Sequence, residues 1–197
     1  MSIGAEAALP ESRTVLLLVD VINPFEFVQA KDLAASAWKA AKAIAKLKQR
    51  LIGTGVLCIY ANDNYGRWRS DFRDTLAYCM AKVGVAGQLA RLLAPGEADL
   101  VMLKPRHSAF YATPLDLVLT QARARQLVIV GLAADICVQL TAMDASLRGY
   151  GIWVPGDCTA AEKPERSREA LHYMKRVLKA DIHRSTTARL PKAPRVP

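Results

Sequence analysis

The chain has 197 residues, 52% of them hydrophobic and 23% charged, which excludes a disordered polyelectrolyte and suits one domain of the usual 100–200 residue size. Lys and Arg outnumber Asp and Glu 27 to 18, for a net charge of +9 that raises the question of a nucleic-acid partner. Gly and Pro, at 11 and 10 residues, are too few for a collagenous or low-complexity chain.

Apolar β-rich runs alternate with helical periodicity from end to end. The first run, Thr14–Ile22, has no polar alternation before Asp20, as expected of a parallel strand covered on both faces. A helix is predicted over about 31–51. Its apolar residues Leu33, Ala37, Ala40, Ile44, Leu47 and Leu51 recur at intervals of 4, 3, 4, 3 and 4 and form one stripe. Lys39, Lys42, Lys46, Lys48 and Arg50 fall between them and are expected on the solvated face. With further charge in the tail at Arg184, Arg189, Lys192 and Arg195, and no zinc-finger, helix-turn-helix or RNA-binding signature, the basic balance is read as solubility. Neither nucleic acid nor membrane is expected as a partner.

Val56–Asn62 reads as a second strand. The segment DNYGRWRSDFRDT reads as a polar, aromatic loop, followed by a helix through Val85–Leu93 that Pro95-Gly96 closes. Strand three is Asp99–Leu103, and KPRHSAFYATP is a loop leading to a short helix at Leu115–Ala122. Strand four is Gln126–Gly131. A helix is predicted from about Asp135 to Arg148, strand five within GIWVPGD, a helix at about 164–178, and a sixth short strand near Asp181–His183. The Pro-rich end LPKAPRVP is expected to lack structure. The N-terminus has neither a basic start nor an apolar core, so no signal peptide is read and a cytoplasmic location is expected. In such a chain Cys58, Cys79, Cys137 and Cys158 are expected as free thiols, and no spacing of Cys and His suggests zinc.

Strand–helix alternation predicts one domain, core about 14–183, built as a three-layer α/β/α sandwich on a Rossmann-like parallel sheet. Ligands of such sheets bind beyond the carboxyl ends of the strands, near the topological switch point. No GxGxxG, GxxxxGK[ST] or GxSxG motif is present, which argues against a phosphate cradle and a serine nucleophile elbow. Three residues at the strand ends can carry chemistry instead: Asp20 after strand one, Lys104 after strand three and Cys137 in GLAADICV after strand four. Alone, each is more simply a turn residue, a solvated strand end and a small core residue. Together on one edge they supply a thiol at the start of a helix, a carboxylate to take its proton and an ammonium to balance charge. Cys158 is the rival thiol, but Asp157 beside it opposes ionisation and no comparable helix start follows.

The blocks VDVINPF, LKPRHSAF and VGLAADICVQLTAMDA resemble, in order and spacing, those of the isochorismatase-like cysteine hydrolases, which include nicotinamidases and N-carbamoylsarcosine amidases. The resemblance covers about 14–183. It implies a six-stranded parallel sheet, a triad of Asp20, Lys104 and Cys137, a cis peptide between Leu132 and Ala133, and an oxyanion hole made by the Ala133 and Cys137 N–H groups. It further implies attack of thiolate on a small amide, ureido or carbamoyl substrate, a thioester hydrolysed by water, no cofactor, and a homodimer or homotetramer. Two other readings stand: vinyl-ether hydrolysis by Asp20 and Lys104 without the thiol, and a catalytically idle binding subunit.

The departures are informative. Ile22 and Pro24 replace a polar pair that is common in the first block, and Ala134 stands where threonine is frequent. The Asp-x-His metal site of nicotinamidases has no counterpart in Asp63-Asn64-Tyr65, which argues against both a metal and nicotinamide. Phe25, Tyr65, Trp68 and Phe110 are the expected pocket wall, with Trp68 alternatively a loop anchor or a subunit contact. Arg67 and Arg69 could bind a substrate carboxylate or pair with Asp71 and Asp74, and His107 could face either pocket or solvent.

Overall fold

The computed structural model describes residues 9–28, 30–69 and 71–186. The Pro-rich end and most of the N-terminal segment lie outside the described residues. In chain order the elements are β1 (Thr14–Val19), α1 (Ala30–Leu51), β2 (Leu57–Asp63), α2 (Phe72–Met80), α3 (Val85–Leu92), β3 (Leu100–Lys104), α4 (Leu115–Gln121) and β4 (Gln126–Leu132). A π-helical turn (Ala134–Val138) then leads into α5 (Gln139–Leu147), β5 (Gly151–Trp153), β6 (Thr159–Ala160) and α6 (Pro164–Val177).

The six strands form one parallel sheet in the order β3-β2-β1-β4-β5, with β6 pairing the end of β4. Successive side chains of a strand point to opposite faces, and β1 shows the consequence. Val15, Leu17 and Val19 join the core beneath α4, α5 and α6, whereas Leu16 and Leu18 join the core beneath α1, α2 and α3. Every residue from Val15 to Val19 is fully buried, which is why this strand carries no polar alternation. The predicted stripe of α1 is buried in full. Lys39, Lys42, Lys46 and Arg50 are exposed, but Lys48 turns inward to donate to the Tyr60 hydroxyl and to Asp99.

Three expected elements differ. The sixth strand is Thr159–Ala160 rather than Asp181–His183. Asp181 makes a single bridge with Trp153, because its own carboxylate accepts the His183 N–H and turns the chain away. The segment expected as a polar loop ends in α2, started by a capping box in which Asp71 and Asp74 each accept the other's backbone N–H. The helix expected from Asp135 begins instead as a π turn, in which the Val138 N–H reaches back to the Ala133 carbonyl.

The order also shows where a site belongs. β1 sends the chain towards β2 on one side and lies beside β4 on the other, so the switch point is the β1–β4 seam. At that seam Gly131 has φ +121°, and a Cβ there would lie 1.9 Å from the Val19 carbonyl oxygen. Only glycine lets the two strand ends come this close.

Candidate active site

Asp20 leaves β1 with φ 50°, a left-handed conformation tolerated by Asp better than by β-branched residues. The turn places its carboxylate under the ends of the neighbouring strands. Oδ1 accepts the Asp63 N–H at 2.7 Å, and Oδ2 lies 2.8 Å from Lys104 Nζ. Lys104 stands two strands from β1, paired across β2 with Asp63, so its long side chain must cross beneath the end of β2 to reach Asp20. It is completely buried. Its ammonium has further partners in the Arg106 carbonyl at 3.1 Å, Cys137 Sγ at 3.7 Å and Asp63 Oδ2 at 3.7 Å.

Cys137 lies in the π turn directly after β4, with its sulfur 3.7 Å from Lys104 Nζ and 3.7 Å from His107 Nδ1. The peptide between Leu132 and Ala133 is cis. The structure therefore brings Asp20, Lys104, Cys137 and the Ala133 backbone to one place.

Burial and charge set the direction in which each group shifts. Burial pushes the Asp20 carboxyl up from its ordinary value, and the Lys104 charge only partly offsets this. Burial, then the Asp20 carboxylate, pushes the Cys137 thiol well above the usual thiol range despite Lys104. Burial works against the charged form of Lys104, but Asp20 and Cys137 outweigh it and its pKa rises. Burial thus works against the anionic forms of both Asp20 and Cys137, and the Lys104 ammonium between them works in their favour. A thiol that burial disfavours as an anion needs a base for its attack, and burial makes the Asp20 carboxylate a stronger one. The rival Cys158 is fully enclosed, and burial with Asp157 holds its thiol at about 12.

The loop after Asp20 is braced by Asn62, which the sequence did not single out, and by Tyr65, expected there only as pocket wall. Asn62 receives the Ile22 N–H at 3.0 Å and donates to the Ile22 carbonyl at 2.9 Å, and the Tyr65 hydroxyl donates to the same carbonyl at 3.0 Å. Asp63 is the second acid near Lys104 and also accepts the Tyr65 N–H at 2.6 Å. The only sequence signal for either was its place at the end of strand two. Asp63 is turned to Lys104, and residue 65 is a tyrosine whose hydroxyl serves the loop. An Asp-x-His metal site does not fit these residues.

A cavity of about 560 Å³ is walled by Asp63, Tyr65, Trp68, Arg106, His107 and Tyr111 among others, and it meets the triad through Asp63, beside Lys104, and His107, beside Cys137. Of the four aromatic residues expected there, Tyr65 and Trp68 line it and Phe25 and Phe110 do not. Phe25 is half-buried against the core beneath α1–α3. Phe110 is buried, stacked on Tyr150 at 6.3 Å with the Arg148 guanidinium 4.5 Å above its ring. The cause is the loop after Lys104, which is pinned to α5 where the Ala109 N–H donates to Thr141 and Ser108 donates to Asp144. That anchorage turns Phe110 into the helix layer. Arg67 lies over the Tyr78 ring, while Asp71 and Asp74 cap α2.

Residues 14–184 match the isochorismatase domain. The chain belongs to the isochorismatase family. An uncharacterised isochorismatase-family protein of Bacillus subtilis, YaaI, is 39% identical over 167 residues, 85% of this chain and 91% of its own length. Ureidoacrylate amidohydrolase RutB of Klebsiella pneumoniae is 38% identical over 91 residues, 46% of this chain and 39% of that protein. The crystal structure of N-carbamoylsarcosine amidase from Thermoplasma acidophilum superposes with a TM-score of 0.70 at 27% identity, covering 90% of this chain and 99% of that one. The three-layer arrangement and the parallel sheet are those of an isochorismatase-family hydrolase. Among the described residues no helix is long and apolar enough to cross a membrane.

Proposed function

We propose that this isochorismatase-family hydrolase cleaves a C–N bond of a small amide, ureido or carbamoyl compound through a thioester on Cys137. The observation that carries the reading is the sulfur of Cys137 held 3.7 Å from Lys104 Nζ, which is itself 2.8 Å from the Asp20 carboxylate, on the carboxyl edge of the sheet. Amidohydrolase activity in the named relatives, RutB and N-carbamoylsarcosine amidase, supports it.

Asp20 takes the thiol proton as the sulfur attacks the carbonyl carbon. Lys104 keeps the charge of the group balanced while the proton moves. The developing oxyanion is received by the Ala133 and Cys137 N–H groups, where one such donor is worth roughly 2.7–4 kcal/mol of barrier. Collapse of the tetrahedral species breaks the C–N bond as the departing nitrogen takes up a proton from the open side of the site, and ammonia or an amine is released. Water then cleaves the thioester, its proton restoring the one given to the amine, and the proton on Asp20 returns to the sulfur. The Asp20–Lys104 pair needs no cofactor for these steps. The reading extends to a homodimer or homotetramer in the cytoplasm acting on a small molecule.

The test is ammonia release from a panel containing N-carbamoylsarcosine, ureidoacrylate, nicotinamide and simple alkyl amides, with Cys137→Ala as the blank. Turnover of at least one amide or ureido compound, lost at least 10³-fold in Cys137→Ala, is expected. Turnover that survives in Cys137→Ala would favour chemistry by Asp20 and Lys104 alone. No turnover of any panel member by the native protein would favour an idle binding subunit.

A further inference from the structure

Two polar side chains, Lys104 and His107, hold nitrogen atoms 3.7 Å from Cys137 Sγ, and they approach it from different surroundings. Lys104 is wholly buried, and Asp20 behind it is nearly so. Both oxygens of Asp20 are engaged, Oδ1 by the Asp63 N–H and Oδ2 by Lys104. His107 is exposed and forms part of the wall of the 560 Å³ cavity. The imidazole therefore stands between the sulfur and the cavity, in contact with both.

Cleavage of an amide requires a proton on the departing nitrogen, and hydrolysis of a thioester requires one removed from water. Asp20 is placed to exchange a proton with the sulfur, on the enclosed side. Imidazole is the side chain suited to exchange protons near neutral pH on the open side.

Resting on the cysteine-hydrolase reading above, we propose that His107 is a further catalytic residue: it protonates the leaving nitrogen and then deprotonates the attacking water. In acylation the S–C bond forms and the C–N bond breaks. The thiol proton goes to the Asp20 carboxylate, and the proton of the His107 imidazolium goes to the amine, leaving thioester, neutral Asp20 and neutral imidazole. In deacylation water adds to the thioester carbon and its proton goes to His107. The C–S bond breaks, and the thiolate takes back the proton held by Asp20. The product acid and the starting charges of all three groups result.

The experiment compares native protein, His107→Gln, His107→Ala and Cys137→Ala on the amide that releases most ammonia and on 4-nitrophenyl acetate. Nitrophenolate leaves without a proton, so its pre-steady-state burst reports attack by sulfur alone. For His107→Gln the expected result is an amide kcat/KM reduced about 100-fold, within the usual range for a lost proton-transfer group, and a burst rate within about threefold of native. Added imidazole should restore amide turnover at least tenfold in His107→Ala, where the ring leaves a gap. The proposal is overturned if burst and amide hydrolysis fall in parallel, since His107 would then position the sulfur. It is equally overturned if amide turnover stays within about threefold of native, or if imidazole restores nothing. Retained amide turnover in Cys137→Ala would instead refute the thioester reading and leave its own distinct signature.

Discussion

Asp20→Asn separates two roles that a triad usually blurs, making the sulfur reactive and moving its proton. The substitution removes the carboxylate that, after burial, does most to hold the Cys137 thiol neutral, and it deprives buried Lys104 of its closest counter-charge. The Lys104 ammonium remains 3.7 Å from the sulfur. At that distance, with an effective dielectric of about 20, its attraction for a thiolate is about 4.5 kcal/mol, equivalent to about three pH units. The sulfur should therefore take the place of the carboxylate as the partner of Lys104, and its pKa should fall because the Asp20 repulsion is gone while the Lys104 attraction stays. Amide hydrolysis should fall at least 10²-fold, because nothing on the enclosed side can accept and return the proton. Yet the rate of alkylation by iodoacetamide at pH 7, followed by mass spectrometry of the Cys137 peptide, should rise at least tenfold. Thiolate absorbance at 240 nm should titrate at lower pH than in the native protein, and circular dichroism establishes that the variant is folded. A fall in alkylation together with turnover would refute the reasoning, because it would mean that Asp20 ionises the sulfur at rest.

The same electrostatics set the pH profile. Amide hydrolysis requires Asp20 ionised, and burial raises its pKa above the ordinary 3.8, so activity should be lost on acidification at a higher pH than an ordinary carboxylate would dictate. A kcat/KM for amide that stays flat down to pH 4 would contradict this. Gly131→Ala should lower stability by about 3 kcal/mol or more, because its Cβ would meet the Val19 carbonyl at 1.9 Å in a positive-φ conformation. That corresponds to a melting temperature about 10 °C lower, and a change within about 2 °C would show that the strand ends can part freely.

What the sequence determines here is local. Uninterrupted apolar runs mark strands that are buried on both faces, and the 4-3-4-3-4 stripe of α1 marks the one face it can bury. Because parallel strands end on a common edge, Asp20, Lys104 and Cys137 were legible as neighbours before any coordinate. Short-range signals were weaker where competing contacts decide the outcome. The two-residue β6 has no run of its own and exists because the Gly131 N–H donates to the Cys158 carbonyl and the Gly131 carbonyl accepts from the Thr159 hydroxyl. Aromatic character alone could not tell Trp68, which faces the cavity, from Phe110, which the Thr141 and Asp144 contacts draw into the helix layer.

Only the tertiary structure decided which way burial and charge shift the groups of the site, and which groups neighbour its sulfur. Ionisation depends on how much water is excluded and on charges a few ångströms away, and sequence spacing measures neither. Lys104 reaches Asp20 by passing beneath a whole strand, and His107 meets Cys137 from 30 positions away in the chain. Residue types disclosed which reagents were available. The packing of three strand ends and one loop decided which of them touch.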